Sequence, residues 1–464
     1  MTRMVAINRF IAVVFVLLAG PYFAGCNAPK SNLAVFDSHF ESADYNCAAQ
    51  FARTKIGTGK TPSGDDLLWT LQLASAERIQ LNHQQSIASL DRAEEMFNRF
   101  ARQSEVVDTV GATVVNDNIV PYKGAEYDGV MVNTYKALDF LAQKDNDLAR
   151  VELNRALERQ IRAREHFNAE IRKLEAQLEK QKKKTGTDAG ALVNDPNIKS
   201  RIATYYPNLD QFQPYPDFVN PFTTYLAAVY FNLVGDHQKA GYLFKESYGM
   251  VPDNKYIAED LLLTDDIIAG KAKLENMVWV IFENGLGPVK EEVRIDLPLF
   301  LATNRIYYTG IALPRLRSRN AAYSCLTLET DTGTYQTQQI ADMEKVIQTE
   351  FRKEFGGILT RAIASAVIKA AAQYSVHDND KYGVATALVA LYNYATTAAD
   401  VRIWTALPKD FQVARCPVPK ERNLKIIPAG GTPFEINIPA CKNAVVYIKI
   451  VRTGASPVYE VLAF

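Results

Sequence analysis

The sequence predicts an α+β multidomain chain, an N-terminal α-helical solenoid followed by a C-terminal antiparallel β domain with a helical insert. Three observations predict it. From Val35 to about Lys273 apolar residues recur at helical spacing, with few β-branched runs. After residue 274, short segments alternate apolar and polar residues between turn-formers. Between two groups of such segments, about 338–399, lie two stretches apolar nearly all round.

The first 25 residues read as a leader. Arg3 and Arg9 precede the apolar run Ile11–Leu18, which is too short for a bilayer span of ~20 residues and has the order of a secretory signal. Phe23-Ala24-Gly25-Cys26 closes it and resembles the lipobox of bacterial lipoproteins. That resemblance implies cleavage before Cys26, acylation of its thiol and new amine, and a lipidated tether over 26–34. The plainer reading is an ordinary signal with a chance cysteine. Asn27, where enteric lipoproteins retained at the inner membrane carry aspartate, points to the outer membrane facing the periplasm.

Composition bounds the rest. The chain has 464 residues, 48% hydrophobic and 22% charged, enough for two or three domains with real cores. Lysines and arginines number 52 against 52 acids. Losing Arg3 and Arg9 with the leader leaves 50 against 52, so charge gives no case for nucleic acid. Lys182-Lys183-Lys184 reads as the basic end of a helix.

The helical domain spans 35–273. Its clearest unit starts at Phe222, with Ala228 on a first helix, Gly235-Asp236 in the turn, Ala240, Phe244 and Ser247 on a second, and Pro252 at its end. These spacings match the tetratricopeptide repeat (TPR), an antiparallel helix pair whose small residues let the helices approach. The frame recurs at Ala137, Ala149, Leu153 and Ala156, with Asp145-Asn146-Asp147 in the turn, and at Ala74, Ser86, Leu90 and Ala93; neither ends in proline. Ser38–Lys55 offers a further helix. In the middle unit Leu148–Lys184 contains no Gly or Pro and reads as one helix of roughly 55 Å, followed by a flexible linker over 185–198. Such a helix is either a partner-binding arm or half of a long hairpin.

In the second domain, 274–464, strands are expected at 277–283, 289–297, 305–313, 411–416, 423–427, 434–438, 444–451 and 458–464. In the insert, Gly357–Tyr374 puts Arg361, Ser365, Lys369 and Gln373 on one line, and Gly383–Ala398 is similarly apolar. It either fills the domain core or contacts a membrane or partner.

Lipidation of Cys26 leaves Cys47, Cys325, Cys416 and Cys441, which allow three pairings. Cys416–Cys441 is the preferred disulfide, closing a loop worth roughly 3.5 kcal/mol; Cys47, beside Ala48 and Ala49, reads as a small core residue. Gly59-Lys60-Thr61 lacks the first P-loop glycine, and His377-Asp378-Asn379-Asp380 lacks the closing calcium-loop glutamate. The five histidines form no metal spacing, and no nucleophile elbow is present. These observations predict no catalytic residue, no cofactor and no metal. Two strings remain as structural locks or ligand contacts. In one, strand alternation would align Asp400, Arg402 and Trp404, with the arginine stacked on the indole; in the other, Glu283 and Asn284 stand at the base of a Gly-Leu-Gly-Pro turn.

Taken with the lipobox and helix pairs, FENGLGPVKEEVRIDLP and ADVRIWTALPKDFQVAR resemble an uncharacterised family of bacterial TPR-containing lipoproteins. The resemblance implies a compartment and a class but no activity or substrate, and an association with genes for lipoproteins that activate peptidoglycan synthases. The helix-pair spacings and the lipid site predict a membrane-anchored scaffold for other envelope proteins, with no nucleic-acid partner. The alternatives are a cell-wall enzyme or glycan-binding protein with its site in the C-terminal domain, or an accessory subunit of a surface export complex.

Overall fold

The computed structural model describes residues 28–59, 64–104, 121–185, 194–206, 219–297, 309–377 and 397–464. Cys26 and the second apolar stretch of the insert, apart from its last two residues, lie outside them. Four helix hairpins build the N-terminal part: α1 (Ala28–Glu41) with α2 (Tyr45–Lys55), α3 (Asp66–Ile79) with α4 (His83–Ser104), α5 (Glu126–Ala142) with α6 (Asn146–Thr185), and, after α7 (Pro196–Tyr205), α8 (Pro221–Leu233) with α9 (His237–Met250). A single helix, α10 (Lys255–Ile268), packs on α9 and ends the solenoid.

One turn design closes all four hairpins. Ala43, Leu81, Lys144 and Gly235 each adopt φ between 59° and 84°, the left-handed region. The next residue's amide then reaches five residues back: Asp44 to His39, Asn82 to Glu77, Asp145 to Phe140 and Asp236 to Phe231. This is the Schellman arrangement, which satisfies the last carbonyls of the first helix. The residue that follows, Asp or Asn in every case, is placed to start the second helix, and Asp44 and Asp145 accept from Cys47 N–H and Leu148 N–H. The repeat-signature residues Ala74, Ser86, Leu90, Ala93, Ala137, Ala149, Leu153, Ala156, Ala228, Ala240, Phe244 and Ser247 are all buried. The N-terminal part is TPR-like on these grounds.

Strands follow: β1 (Met277–Asn284), β2 (Val289–Leu297), β3 (Thr309–Arg317), β4 (Leu326–Thr330), β5 (Gly333–Gln336) and β6 (Gln338–Asp342), then helix α11 (Met343–His377), then β7 (Asp410–Pro417), β8 (Asn423–Pro428), β9 (Phe434–Asn437), β10 (Asn443–Ile450) and β11 (Val458–Ala463). They form a five-stranded sheet in the order β11-β10-β1-β7-β6, a four-stranded sheet β5-β4-β8-β9 and a ribbon β2-β3. Every pair is antiparallel except β1 with β10, whose long crossover contains most of the domain. One hydrophobic core runs from Phe36 and Trp69 through Tyr135 and Phe222 to Trp279, Trp404 and Tyr447. The change at 274 therefore separates helix from strand but not one core from another. A second core joins α7, the ribbon and α11 through Ile198, Ile202, Ile295, Ile311, Phe355 and Ile363.

Several expectations need correction. The tether over 26–34 is helical from Ala28, because Leu33, Phe36 and Phe40 bury their side chains. The linker over 185–198 ends in α7, where Pro196 follows the capping carboxylate of Asp195. The insert starts at Met343 rather than 338, because Gln338–Asp342 pairs with β7 as the sheet edge. The described part of its apolar helix lies in the second core, and no helix among the described residues is long and apolar enough to cross a membrane. Asp400–Trp404 is not a strand.

Cys416 and Cys441 are free thiols, as are Cys47 and Cys325. The reason is the strand order. Cys416 lies on β7 opposite Val278, and Cys441 leads into β10 on the far side of β1. Two strand spacings of ~4.8 Å exceed the ~7 Å limit between bridged Cα atoms.

Candidate functional site

The first helices of the hairpins form an inner layer. Every residue of α3 is buried, as are Tyr127–Asp139 of α5 and Pro221–Asn232 of α8. Helices α4, α6 and α9 lie outside them and keep an exposed face. Against the inner layer lie the five-stranded sheet and the segment 400–407, so the concave face of the solenoid is filled by the chain's own C-terminal half.

The filling is specific. Trp404 donates its indole N–H to Ser75 Oγ at 2.8 Å and meets Tyr135 edge-on at 5.9 Å. Gln72 donates to Thr405 Oγ1 at 2.8 Å and accepts from Ala406 N–H at 3.3 Å. Phe222 stacks on Phe411 with ring centroids 3.6 Å apart. Arg402 forks onto Asp400 at 2.8 and 2.7 Å and reaches Asp65 at 2.8 Å. Burial works against the Asp400 carboxylate, but Arg402 outweighs it and holds its pKa below the usual range. Arg402 stands over Tyr122 at 5.8 Å rather than over the expected indole, because Trp404 points into the solenoid.

The second predicted string anchors a buried ionic cluster. Glu283, fully buried on β1, accepts from Tyr135 at 3.0 Å, from Lys449 at 2.5 Å and from Tyr447. The Arg78 guanidinium, from the last turn of α3, lies between the Tyr135 and Tyr447 rings at 4.8 and 4.7 Å. It faces Asp139 at 3.4 Å, Glu460 at 3.6 Å and Glu283 at 3.7 Å. His83 touches Asp139 at 2.9 Å and Glu460 at 3.3 Å. Burial raises Glu283, but Lys449 and Arg78 outweigh it and keep the carboxyl below its ordinary pKa. Burial dominates at Lys449, which is pushed down, and at Glu460, which is pushed up. Asn284, next in sequence, donates to Tyr323 O and Asp410 and accepts from Ala322 N–H and Tyr323 N–H, fixing the loop after β3. Asp410 is pushed up to about 6 by burial, against hydrogen bonds from Gln412 and Asn284.

Asp400, Arg402, Trp404 and Glu283 thus lie between solenoid and sheet, whereas Asn284 locks the loop after β3 onto β7 within the C-terminal half. Arg78, Asp139, Lys449 and Glu460 were missed, because charges at helical or strand spacing read as solvated faces. Asp128 was also missed. It is fully buried at the start of α5, accepts from Tyr122 and Ala125 N–H, and is pushed up to about 6 by burial. The cleft beside Arg78, Tyr447, Lys449 and Glu460 encloses about 10 Å³, room for one water.

No protein-family model matches this sequence, and no curated protein matches it. Among solved structures, similarity is found to MamA AMB-1, at 12% identity over 52% of this chain and 82% of that one, TM-score 0.27. The Rap conjugation gene regulator of plasmid pLS20, solved with the Phr* peptide, matches at 11% identity over 53% of this chain and 62% of that one, TM-score 0.21. A tetratricopeptide repeat protein from Parabacteroides merdae matches at 13% identity over 51% and 98%, TM-score 0.13. Those scores are too low to carry function across. From its own turns and buried positions, the chain is an α+β protein with a TPR-like solenoid wrapped on its own sheet.

Proposed function

We propose that this protein is an envelope lipoprotein that serves as a protein-binding scaffold, anchored through Cys26 and engaging partners with the outside of its solenoid. One observation carries the reading. The inner face is occupied by the chain itself, while the outer helices expose large apolar side chains: Ile161 at 75%, Tyr242 at 70% and Leu262 at 66%. Scattered surface apolar residues are ordinary. Here they lie on α6, α9 and α10, and the first two are joined by Arg150–Asp236 and Lys239–Asn154. Helix α6 has 40 residues and extends roughly 60 Å, well past the hairpin it completes with α5. The family resemblance adds the envelope compartment and an association with peptidoglycan assembly, which is where a partner is sought.

A deep pocket lined by Asp, Glu or His in the C-terminal half would favour a cell-wall enzyme or glycan-binding protein. The carboxylates Glu283, Asp260 and Asp410 are instead committed to tyrosine, tryptophan, arginine, lysine and amide partners. The test has two arms. Cys26→Ser is expected to move the protein from the membrane to the soluble envelope fraction; firm membrane retention overturns the anchor. A photocrosslinking residue at Tyr242 or Ile161 in intact cells is expected to trap a discrete protein partner. Trapping only at positions on the sheet face would overturn the outer-surface reading.

A further inference from the structure

We infer that the turn between α1 and α2 is a transition-metal site, with His39, Asp44 and Cys47 as ligands and Zn²⁺ as the ion it suits best. The three donor atoms, one imidazole nitrogen, one carboxylate oxygen and one thiol sulfur, all lie within 4.8 Å of one another. His39 Nδ1 and Asp44 Oδ2 stand 3.8 Å apart. Two donors each about 2.1 Å from one ion are separated by roughly 3.4 Å at the tetrahedral angle and about 4.2 Å at most. That pair is therefore already within coordinating range. Cys47 is exposed, and its thiol already hydrogen-bonds the Asp44 carboxylate, so an ion would take the place of that proton.

The backbone presets this geometry without the ion. His39 sits in the last turn of α1, where Asp44 N–H bonds its carbonyl at 2.9 Å. Ala43 holds φ at 63°, which folds the chain back sharply. The two carboxylate oxygens of Asp44 then divide their work. Oδ1 caps α2 by accepting from Cys47 N–H at 3.2 Å, and Oδ2 faces the imidazole. An ion held there leaves the cap intact. Equivalent turns elsewhere use the same backbone but lack the donors: Asn82 and Asp145 are followed three residues later by Gln85 and Leu148, and Asp236 by Lys239.

The donor set selects the ion. Nitrogen, oxygen and a soft sulfur together suit Zn²⁺ over Mg²⁺ or Ca²⁺, which prefer oxygen alone. Three protein ligands leave a fourth position for water or for a donor from another molecule. The site also ties α1, the helix nearest Cys26, to α2. Bound metal is therefore expected to brace the helix that leads to the proposed anchor.

The experiment uses the full chain in detergent, stripped with a chelator and titrated with Co²⁺ and then Zn²⁺. One equivalent of Co²⁺ is expected to produce a thiolate-to-cobalt charge-transfer band with tetrahedral d–d absorption, both erased by one equivalent of Zn²⁺. Cys47→Ala is expected to abolish the charge-transfer band. His39→Ala is expected to weaken binding by more than the roughly 10–100-fold that follows loss of an outer-shell partner. Both residues are partly or largely exposed, so both variants are expected to keep the wild-type circular dichroism. Absence of the band in the wild type, or its persistence in Cys47→Ala, overturns the site.

Discussion

Replacing Arg78 by alanine tests whether solenoid and sheet form one cooperative unit. The guanidinium sits 3.4–3.7 Å from three carboxylates and between two tyrosine rings, with its side chain 5% exposed. Burial by itself lowers its pKa, yet Tyr447, Asp139, Glu283 and Glu460 raise it above the ordinary arginine value, so it is charged throughout the accessible range. Removing it leaves buried carboxylates short of a partner, which costs about 3–5 kcal/mol. With a denaturant slope of about 3 kcal/mol/M, a loss near 4 kcal/mol moves the urea midpoint down by roughly 1.3 M. The three tryptophans, Trp69, Trp279 and Trp404, are all buried in the shared core, so their fluorescence reports the joint. Far-ultraviolet circular dichroism reports the helices. Both signals are expected to shift together. In the variant the stranded carboxyls gain raised folded pKa values, and a raised acid contributes stability that fades as pH rises through that value. The defect is therefore expected to be smaller at pH 5 than at pH 8. A midpoint loss equivalent to less than about 1 kcal/mol, or a fluorescence transition that shifts while the helical one stays, would refute the reasoning.

Four further outcomes follow from single contacts. Leu81→Gly is expected to stabilise by about 1 kcal/mol in urea unfolding, since Leu81 is exposed and holds φ at 59° where glycine has no steric cost. Trp404→Ala is expected to cost about 3–5 kcal/mol and to lower the calorimetric melting temperature, because the indole fills the groove and bonds Ser75. Asp128, raised to about 6 from an unfolded value near 3.9, stabilises the fold only while protonated, so stability falls between about pH 4 and pH 6. Asp128→Asn is expected to flatten that part of the urea midpoint-against-pH curve, and an unchanged slope would sink the assignment. Thiol titration of the unfolded chain is expected to find Cys47, Cys325, Cys416 and Cys441 all free, with Cys416, buried and pushed up to about 12, unreactive before unfolding.

Legibility followed the range of the forces. Gly235-Asp236 announced its turn because glycine is the usual left-handed residue. The equivalent turns at Ala43, Leu81 and Lys144 use side-chain-bearing residues, so the sequence hid that all four hairpins are alike. Residues 277–283 were visible as a strand, one residue short of β1, which is buried on both faces rather than on alternate positions alone. Strands β4, β5 and β6 were not foreseen, because LTLET, GTYQ and QQIAD are short and rich in threonine and glutamine. The string around Asp400–Trp404 stood out by a strand alternation that the fold does not use, since the segment is not a strand. Its partners did not: Gln72 and Thr405 are 333 residues apart, and no local pattern encodes that meeting.

The filled groove sets a quantitative limit on how a partner can bind. Displacing the 400–407 segment and the sheet from the inner helices exposes Trp404 and Phe411, which are 1% and 0% exposed, together with the aromatic residues they cover. Losing the packing of those two rings alone costs on the order of 6–10 kcal/mol. An opening cost of about 5.5 kcal/mol already leaves roughly one chain in 10⁴ competent, and apparent affinity falls by the same factor. A ligand with nanomolar intrinsic affinity for the open groove would then bind at about ten micromolar or worse. Binding outside avoids that cost, because Tyr242, Leu262 and Ile161 are exposed beforehand. The sheet therefore occupies the concave face, and on the proposed reading the outer helices and the length of α6 are the surfaces a partner would meet without any change in fold.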